Sequence, residues 1–118
     1  MNSTEVSKKV NEVIECFEHK DRVKRVGVFG SVARGEATAE SDVDLVIDFM
    51  YDEYIESDPL FAIRKKYIFE SVLRDAFVPI SVDIVDTDAL NSKSNAILSE
   101  EVGRDVIWLY DAAQTYSQ

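Results

Sequence analysis

The chain is poor in the residues that build disulfide scaffolds, thiolate metal clusters and flexible linkers. Its 118 residues include one cysteine, two prolines, four glycines, one histidine and one tryptophan. A single cysteine cannot form an internal disulfide or supply a thiolate set for zinc, which suits a reducing compartment. No proline- or glycine-rich tract and no internal repeat divides the sequence. We therefore expect a single domain over residues 1–118 with one core.

Long apolar runs and an excess of positive charge are also missing. No apolar stretch approaches the ~20 residues that span a bilayer, and the N-terminus lacks the basic and then apolar pattern of a secretion signal. We therefore expect a soluble, cytoplasmic protein that does not enter membranes. The chain has 13 basic and 23 acidic residues and a net charge of −10. Since the basic residues form no block, direct nucleic-acid binding is not expected, whereas a basic protein partner would be attracted.

A short apolar run that stops at a glycine marks the first candidate site. Residues 26–29 read as the end of a buried strand, and Gly30 follows directly. Because glycine has no Cβ, the backbone there can approach a ligand closely. Ser31 adds a hydroxyl at the expected N-terminus of a short helix, where free N–H groups favour an anion. The pattern predicts a phosphate-binding turn, with Gly35 as a left-handed C-terminal cap of that helix.

Two aspartates, two positions apart, open the next predicted strand, over 43–49. On an extended segment Asp42 and Asp44 project from one face with Cα atoms ~6.5–7 Å apart. Hard divalent ions such as Mg²⁺ prefer carboxylate and phosphate oxygens. Either motif alone is more often a plain turn or a loop carboxylate pair, so the hypothesis depends on their combination. Together they indicate a magnesium–triphosphate site.

A third strand is predicted over 79–85, where β-branched and apolar residues predominate. Asp83 lies within this run, and an unpaired charge in a strand core is costly. If the strand lies beside the one that starts at Asp42, the carboxylate of Asp83 points to the same end of the sheet. It would then complete a three-carboxylate site, with Asp86 as the weaker alternative.

The remaining segments complete an α/β fold. We predict a mixed sheet of about four strands that helices cover mainly on one face, leaving the other face open for substrate at the carboxylate end. The other expected elements include an amphipathic first helix, whose apolar residues recur from Val6 to Phe17 and which Asn2 and Glu5 cap. A helix from Pro59 to 76 should bury Ile68, Phe69, Val72 and Leu73, and polar loops are expected over 51–59 and 88–95. A helix over 96–102 ended by Gly103 and an edge strand over 106–110 with Trp108 in the core follow.

The spacing of the two motifs resembles a known signature. Gly30-Ser31, ten intervening residues and then Asp42-Val43-Asp44 are similar to the signature of the nucleotidyltransferase superfamily that includes polymerase β. The stretch GSVARGEATAESDVDLVIDF, in a chain of this length, resembles the minimal nucleotidyltransferases. These are small proteins often encoded beside a HEPN-domain ribonuclease as its antitoxin. The resemblance implies a polymerase β-like core.

The resemblance also implies a role for each candidate carboxylate. Asp42 and Asp44 would hold two Mg²⁺ ions, since a triphosphate can approach clustered carboxylates only when divalent ions bridge them. Asp83 matches the third acidic residue of the family, which lies in a later strand. It would share in metal binding and orient or deprotonate the attacking hydroxyl.

The substrate and the partner follow from the same resemblance. ATP would bind through the backbone of Gly30 and the hydroxyl of Ser31, with Arg34 assisting with phosphate charge. AMP would pass to a hydroxyl, a tyrosine, of a HEPN-domain toxin, and the chain would act as the antitoxin. The nucleotide preference, the number of AMP groups transferred and the assembly of the chain, with itself or with its partner, are left open.

Two other functions stay open at this point. One is nucleotidylation of a small molecule, although the relatives that do this usually carry an added helical domain. The other is a binding module that neutralises its toxin by contact alone. The intact Ser31, Asp42, Asp44 and Asp83 favour catalysis, because clustered carboxylates repel one another without metal and would bring nothing to a pure binder.

Overall fold

The computed structural model of the chain describes residues 1–18, 20–49, 59–87 and 96–113. The strands are β1 (Val23–Phe29), β2 (Val43–Phe49), β3 (Val82–Asp86) and β4 (Ile107–Asp111), and the helices that matter here are α1 (Ser3–Cys16), α2 (Gly30–Ala33), α3 (Pro59–Phe77) and α4 (Ala96–Asp105).

Within the described residues the strands form one mixed sheet in the order β3-β2-β1-β4. The central strand β1 pairs antiparallel with β2 on one side and with β4 on the other. The strands β2 and β3 pair in parallel, which requires a crossover connection, and α3 lies in that connection. This sheet confirms the predicted α/β class, the predicted neighbours β2 and β3, and the edge position of the last strand.

The main core lies on the face of the sheet where α1 and α3 pack. Alternate residues of β2, namely Val43, Leu45 and Ile47, project to this face and have no exposed surface. Burial of side chains of this size contributes ~1.5–3 kcal/mol each. The helical part of the same core consists of Val6, Val10, Val13 and Ile14 of α1 with Phe69, Leu73 and Phe77 of α3.

The N-terminus of α1 carries the predicted cap. The side chain of Asn2 accepts a hydrogen bond from the Glu5 N–H at 2.8 Å, and the Glu5 carboxylate accepts one from the Asn2 N–H at 3.2 Å. This reciprocal capping box satisfies two backbone donors at the start of the helix. The box therefore fixes where α1 begins, while the apolar stripe of the helix sets which residues face the core.

The opposite face of the sheet is partly covered by α4. Val46 alternates with Leu45 and Ile47 and therefore projects to this second face, where it packs with Phe29 and with Val102 of α4. The sequence left this face open for substrate and did not predict a helix on it. Since Asp44 lies two positions before Val46 on the same face, α4 borders the predicted site.

Two predicted boundaries were wrong at the start of β3 and at the end of α4. β3 begins at Val82 rather than at 79, because Ile80 donates its N–H to the Phe77 carbonyl in a turn at 2.8 Å and Pro79 has no N–H to give. α4 continues past Gly103 to Asp105.

The glycine inside α4 does not act as a cap. The N–H of Val106 donates to the Val102 carbonyl at 2.9 Å, so the helical hydrogen-bond pattern continues beyond Gly103. Gly103 does not have the positive φ that a left-handed cap requires. The last strand is correspondingly displaced by one residue from its predicted range.

Some apolar side chains that the sequence placed in the core are exposed. Phe69 and Leu73 are buried as predicted, but Ile68 is 47% and Val72 is 41% exposed. A helix on one side of a sheet buries a single stripe, and the predicted apolar surface was wider than that stripe. Trp108, also predicted to be buried, is 37% exposed on the edge strand.

No helix in the described ranges is both long and apolar enough to cross a membrane. The polar loops predicted over 51–59 and 88–95 lie outside the described residues, except for Pro59, at which α3 begins as predicted.

Candidate active site

The turn between β1 and α2 passes directly against a carboxylate of the neighbouring strand. Gly30 has a φ of 71°, a left-handed conformation that residues with a Cβ rarely adopt. A Cβ at this position would overlap with Oδ2 of Asp44. The register explains the contact, because Phe29, the residue before the glycine, pairs with Asp44 across the antiparallel β1–β2 ladder. Glycine is therefore required both by the backbone conformation and by the close approach.

The helix that follows is short and is ended by the predicted left-handed glycine. Gly35 has a φ of 75° and donates its N–H to the Val32 carbonyl at 3.1 Å, while Glu36 donates to the Ser31 carbonyl at 2.9 Å. These two bonds form a complete Schellman cap. At the other end of α2, Phe29 supplies no side-chain hydrogen bond to the first amides. The N–H groups beside Gly30 and the half-buried Ser31 are therefore available to an anion.

The parallel pairing of β2 and β3 places two predicted site residues side by side. Asp44 is the register partner of Asp83. Partners on adjacent strands project to the same face and are about 4.8 Å apart along the hydrogen-bonding direction. The structure thus brings Gly30, Asp44 and Asp83 together at one edge of the sheet.

The third predicted carboxylate, Asp42, lies one residue before β2 begins. It is exposed, and it is held in place by a turn in which Ser41 donates its N–H to the Thr38 carbonyl at 3.2 Å and accepts from the Thr38 N–H at 2.9 Å. Its charge reaches Asp44, as the pKa of that residue shows. Among the described residues, however, no three His, Cys, Asp or Glu side chains gather closely enough to form a ready-made set of metal ligands.

Asp44 is the electrostatically strained member of the site. Burial raises the pKa of its carboxyl, and the negative charges of Asp83, Glu101 and Asp42, in that order, raise it further, whereas the nearby Arg34 lowers it. In the part of the chain that the structure describes, no lysine or arginine forms an ion pair with Asp44. A partly buried carboxylate with like charges around it is a place where a bound cation would relieve repulsion.

Two other aspartates of the same strands have cation partners. Asp48, on the same face as Asp44, receives hydrogen bonds from Nε and Nη2 of Arg25, both at 3.3 Å. Asp86, the alternative to Asp83, is three positions further along β3 and so projects to the opposite face, where Lys66 pairs with it at 3.1 Å. The structure therefore places Asp83, and not Asp86, beside Asp44.

Arg34 flanks the site from α2, but it already has acidic partners. Its Nε donates to the Glu36 carboxylate at 3.0 Å, and its Nη1 donates to Asp105 at 2.7 Å and lies 4.0 Å from Glu101. Hydrogen bonds with Glu36 and then with Asp105 raise the pKa of the guanidinium. Glu101 and Asp105 could not be predicted from the sequence, because α4 is far along the chain and no local motif marks these two residues.

The donor set fits a magnesium ion that arrives with a phosphorylated ligand. Mg²⁺ is usually held by one or two carboxylates together with substrate phosphates and water, and rarely by a complete protein cage. An incomplete set of carboxylates with a raised pKa at Asp44, beside a helix N-terminus at Gly30 that no side chain caps, matches that pattern. A mixed sheet with paired carboxylates beside an uncapped helix N-terminus is the arrangement expected of proteins that bind phosphorylated ligands.

Comparison with known proteins gives the family. Residues 10–106 match the model of the nucleotidyltransferase domain. The protein adenylyltransferase MntA of Thermococcus cleftensis is 34% identical over 87 residues, which cover 74% of this chain and 75% of that protein. A protein of Methanocaldococcus jannaschii, provisionally named a protein adenylyltransferase, is 30% identical over 93 residues, 79% of this chain and 83% of its own length.

Solved structures agree with this assignment. One, provisionally described as a minimal nucleotidyltransferase, is 31% identical, covers 91% of this chain and 95% of its own, and has a TM-score of 0.53. Another, a toxin–antitoxin structure with AMP-PNP, has a TM-score of 0.58 over 92% of this chain and 76% of its own, and at 22% identity it supports the fold alone. The chain belongs to the nucleotidyltransferase domain family, as its resemblance to the minimal members predicted.

Proposed function

We propose that this nucleotidyltransferase is a protein adenylyltransferase that acts as an antitoxin. It takes ATP with bound magnesium and transfers AMP to a hydroxyl, a tyrosine, of a HEPN-type ribonuclease toxin. The observation that carries the proposal is the pairing of Asp44 with Asp83 on adjacent strands, with Gly30 packed against the first of them. This is the arrangement that a metal-bridged triphosphate needs, because the turn can receive phosphates where the carboxylates face them.

The contrast between the aspartates of the sheet supports this proposal. Asp48 and Asp86 are each neutralised by a basic side chain. The pKa of Asp44 is raised instead, first by burial and then by the like charges of its acidic neighbours. A protein that neutralised its toxin by contact alone would gain nothing from this repulsion, which costs stability in the absence of a cation. The observation therefore favours catalysis over the binding module.

Each residue of the candidate site has a role in the proposed reaction. Asp42 and Asp44 would hold the magnesium ions, taken as two, and Asp83 would share in holding one of them. Bound magnesium would offset the charge of the triphosphate and stabilise the departing pyrophosphate. The N–H groups at Gly30 and the hydroxyl of Ser31 would hold the terminal phosphates.

The carboxylate of Asp83 would act on the acceptor. It would orient the attacking hydroxyl and take its proton, while the hydroxyl oxygen forms a bond to the α-phosphorus and the bond between the α- and β-phosphates breaks. AMP is then attached to the acceptor and pyrophosphate leaves. Arg34 would assist with phosphate charge from the side of α2.

The partner is supported by the relatives and not by contacts in this chain. The relative from Thermococcus cleftensis is named a protein adenylyltransferase, and two structures with the same fold are toxin–antitoxin complexes, one of them with AMP-PNP. The HEPN class of the toxin and the tyrosine acceptor come from the resemblance to minimal nucleotidyltransferases. The net charge of −10 would favour association with a basic partner.

The test is label transfer from ATP to a HEPN-type toxin, with the gene beside this chain as the first place to look for it. We expect label from α-labelled ATP to become attached to the toxin in the presence of Mg²⁺, and no label from γ-labelled ATP, because AMP is transferred and pyrophosphate is released. Mass spectrometry should locate the added AMP on a tyrosine. Substituting that tyrosine with phenylalanine should remove the label.

Three results would contradict the proposal. Transfer of the γ-label would make the protein a kinase. Protection of cells from the toxin without any labelling would establish the contact-only antitoxin. Labelling of a small hydroxylated molecule, with the toxin left unmodified, would establish the small-molecule nucleotidyltransferase.

A further inference from the structure

The side chain of Arg34 joins the turn to α4 in a specific way. It follows α2 as its C-cap residue, and its guanidinium reaches across to α4 and donates to Asp105 at 2.7 Å. Its Nε is used by Glu36. Within the described residues, Nη2 makes no hydrogen bond. The guanidinium is thus held by Glu36 and Asp105 at the end of the short helix that begins at Gly30. Burial raises the pKa of the nearby Asp44 carboxyl, and the charge of Arg34 opposes that rise.

Asp105 is an unusual residue at its position. It is the last residue of α4, where the carbonyl groups of a helix end disfavour a negative charge and favour a positive one. Its side chain is nevertheless only 6% exposed. Hydrogen bonds from Arg104 and then from Arg34 lower the pKa of Asp105, against the opposing effect of burial. An acidic side chain that is disfavoured by its own helix but enclosed by two arginines is suited to holding one of them in place.

We propose that Asp105 is a positioning residue for nucleotide binding. It holds the guanidinium of Arg34 close to Asp44 and Asp83, so that the remaining N–H groups can donate hydrogen bonds to phosphate oxygens of ATP. The inference rests on the proposed function and adds a residue of α4 to it. An arginine held on one side by a carboxylate loses less side-chain freedom when a phosphate binds on the other side. The same contact fixes α4 against α2, and with it Glu101.

The experiment is a double-mutant cycle on magnesium–ATP binding, measured by calorimetry on the full chain without the toxin. Arg34→Ala should weaken binding on the order of 10-fold or more, because a charge-assisted hydrogen bond to phosphate is lost. Asp105→Asn should weaken it by roughly fivefold, because the guanidinium remains but is no longer held by a charge. The double variant should bind as weakly as Arg34→Ala alone, since Asp105 acts only through that arginine.

Two further variants separate positioning from simple stabilisation. Asp105→Glu keeps the carboxylate and should bind ATP more tightly than Asp105→Asn. Asp75→Asn makes the same change in an exposed residue of α3, on the other side of the sheet, and should bind ATP like the wild type. Thermal unfolding of each variant shows that it is folded before binding is compared.

The outcomes distinguish the inference from the function on which it rests. If Asp105→Asn is folded and binds ATP like the wild type, the inference is wrong and the proposed function is unaffected. If the double variant is several-fold weaker than Arg34→Ala, Asp105 acts on its own and the inference is also wrong. If the wild type itself does not bind magnesium–ATP, the proposed function fails, and that result is visible before any variant is made.

Discussion

Gly30 is the residue at which the backbone of the turn contacts the Asp44 carboxylate. We expect Gly30→Ala to lower the free energy of unfolding by at least about 2 kcal/mol, because the alanine has to adopt a left-handed φ and its Cβ has to displace the Asp44 carboxylate. Binding of magnesium–ATP should be lost with it. Chemical denaturation and calorimetry measure the two effects.

Gly35 offers a matched control for this substitution. Its φ of 75° is nearly the same, but a Cβ there would meet no atom within 4 Å in the described structure. Gly35→Ala should therefore cost only about 1–2 kcal/mol from the left-handed backbone and leave ATP binding nearly intact. Equal costs and equal ATP affinities for the two variants would show that the contact between Gly30 and Asp44 has no functional role.

The carboxyl of Asp44 makes the free energy of unfolding depend on pH in the direction opposite to that of an aspartate in an ion pair. Because its folded-state pKa is raised, mainly by burial and by Asp83, it contributes stability below its unfolded-state pKa and loses this contribution as the pH rises through the folded-state value. At pH 7 the ionised carboxylate is therefore a cost. Asp44→Asn should unfold at a higher temperature than the wild type at pH 7, with the difference shrinking as the pH falls toward 4.

The same variant should lose transfer of AMP, since a neutral amide is a much weaker ligand than the carboxylate proposed to hold magnesium. Asp75→Asn, at an exposed position, should change neither stability nor transfer. A clear loss of thermal stability in Asp44→Asn at pH 7 would contradict this expectation. It would mean that the ionised carboxylate stabilises the folded chain.

At the scale of elements, α4 differs most from its prediction, and Gly103 shows why. A glycine near the end of an apolar periodic segment usually indicates a cap, but here the helix continues through it. Gly103 has ordinary helical φ, and an added Cβ would meet no described atom within 4 Å. Gly103→Ala should therefore raise the free energy of unfolding by about 0.5–1 kcal/mol in chemical denaturation. Destabilisation would indicate that the glycine is a cap after all.

The elements that the sequence predicted well are those with local signals. β2 was predicted over its full length, β1 to its last residue, and the cap of α2 at Gly35, because apolar runs and glycines mark these points within a few residues. The start of β3 was misplaced, since β-branched residues continue into the preceding turn and only the hydrogen bonds of that turn exclude them from the ladder.

At the scale of the whole molecule, the sequence predicted which residues carry the candidate site but not how the fold frames it. Asp44 and Asp83 were expected to share a sheet edge, and their register confirms it. The exposure of Ile68 and Trp108 and the place of α4 on the site face depend on which side of the sheet each helix packs. That choice is a long-range property with no local pattern, and it is also why Asp105 was missed.

The net charge of the whole molecule predicts that ATP binding depends on a divalent metal ion. A chain of charge −10, with three carboxylates at the candidate site, should repel a triphosphate unless divalent ions lie between them. We expect ATP to bind at least about 10-fold more weakly in a chelator than in Mg²⁺, measured by calorimetry at constant ionic strength. Equal affinity under both conditions would remove the metal-bridged model.

Two aspartates of one strand give the sharpest test of the proposed active site. Asp83 and Asp86 are three positions apart on β3; the first is the register partner of Asp44, and the second faces the other way and pairs with Lys66. Each is changed to asparagine, and transfer of label from α-labelled ATP to the toxin is measured. Asp86→Asn also loses its ion pair with Lys66, and thermal unfolding measures how much stability that loss costs.

We expect Asp83→Asn to lose label transfer by a factor on the order of 100 or more while keeping its association with the toxin. Asp86→Asn, at a temperature where it is folded, should transfer label at nearly the wild-type rate. Normal transfer by Asp83→Asn together with a loss in Asp86→Asn would contradict the proposed site, because the reacting hydroxyl would then lie on the opposite face of the sheet from Asp44 and Gly30.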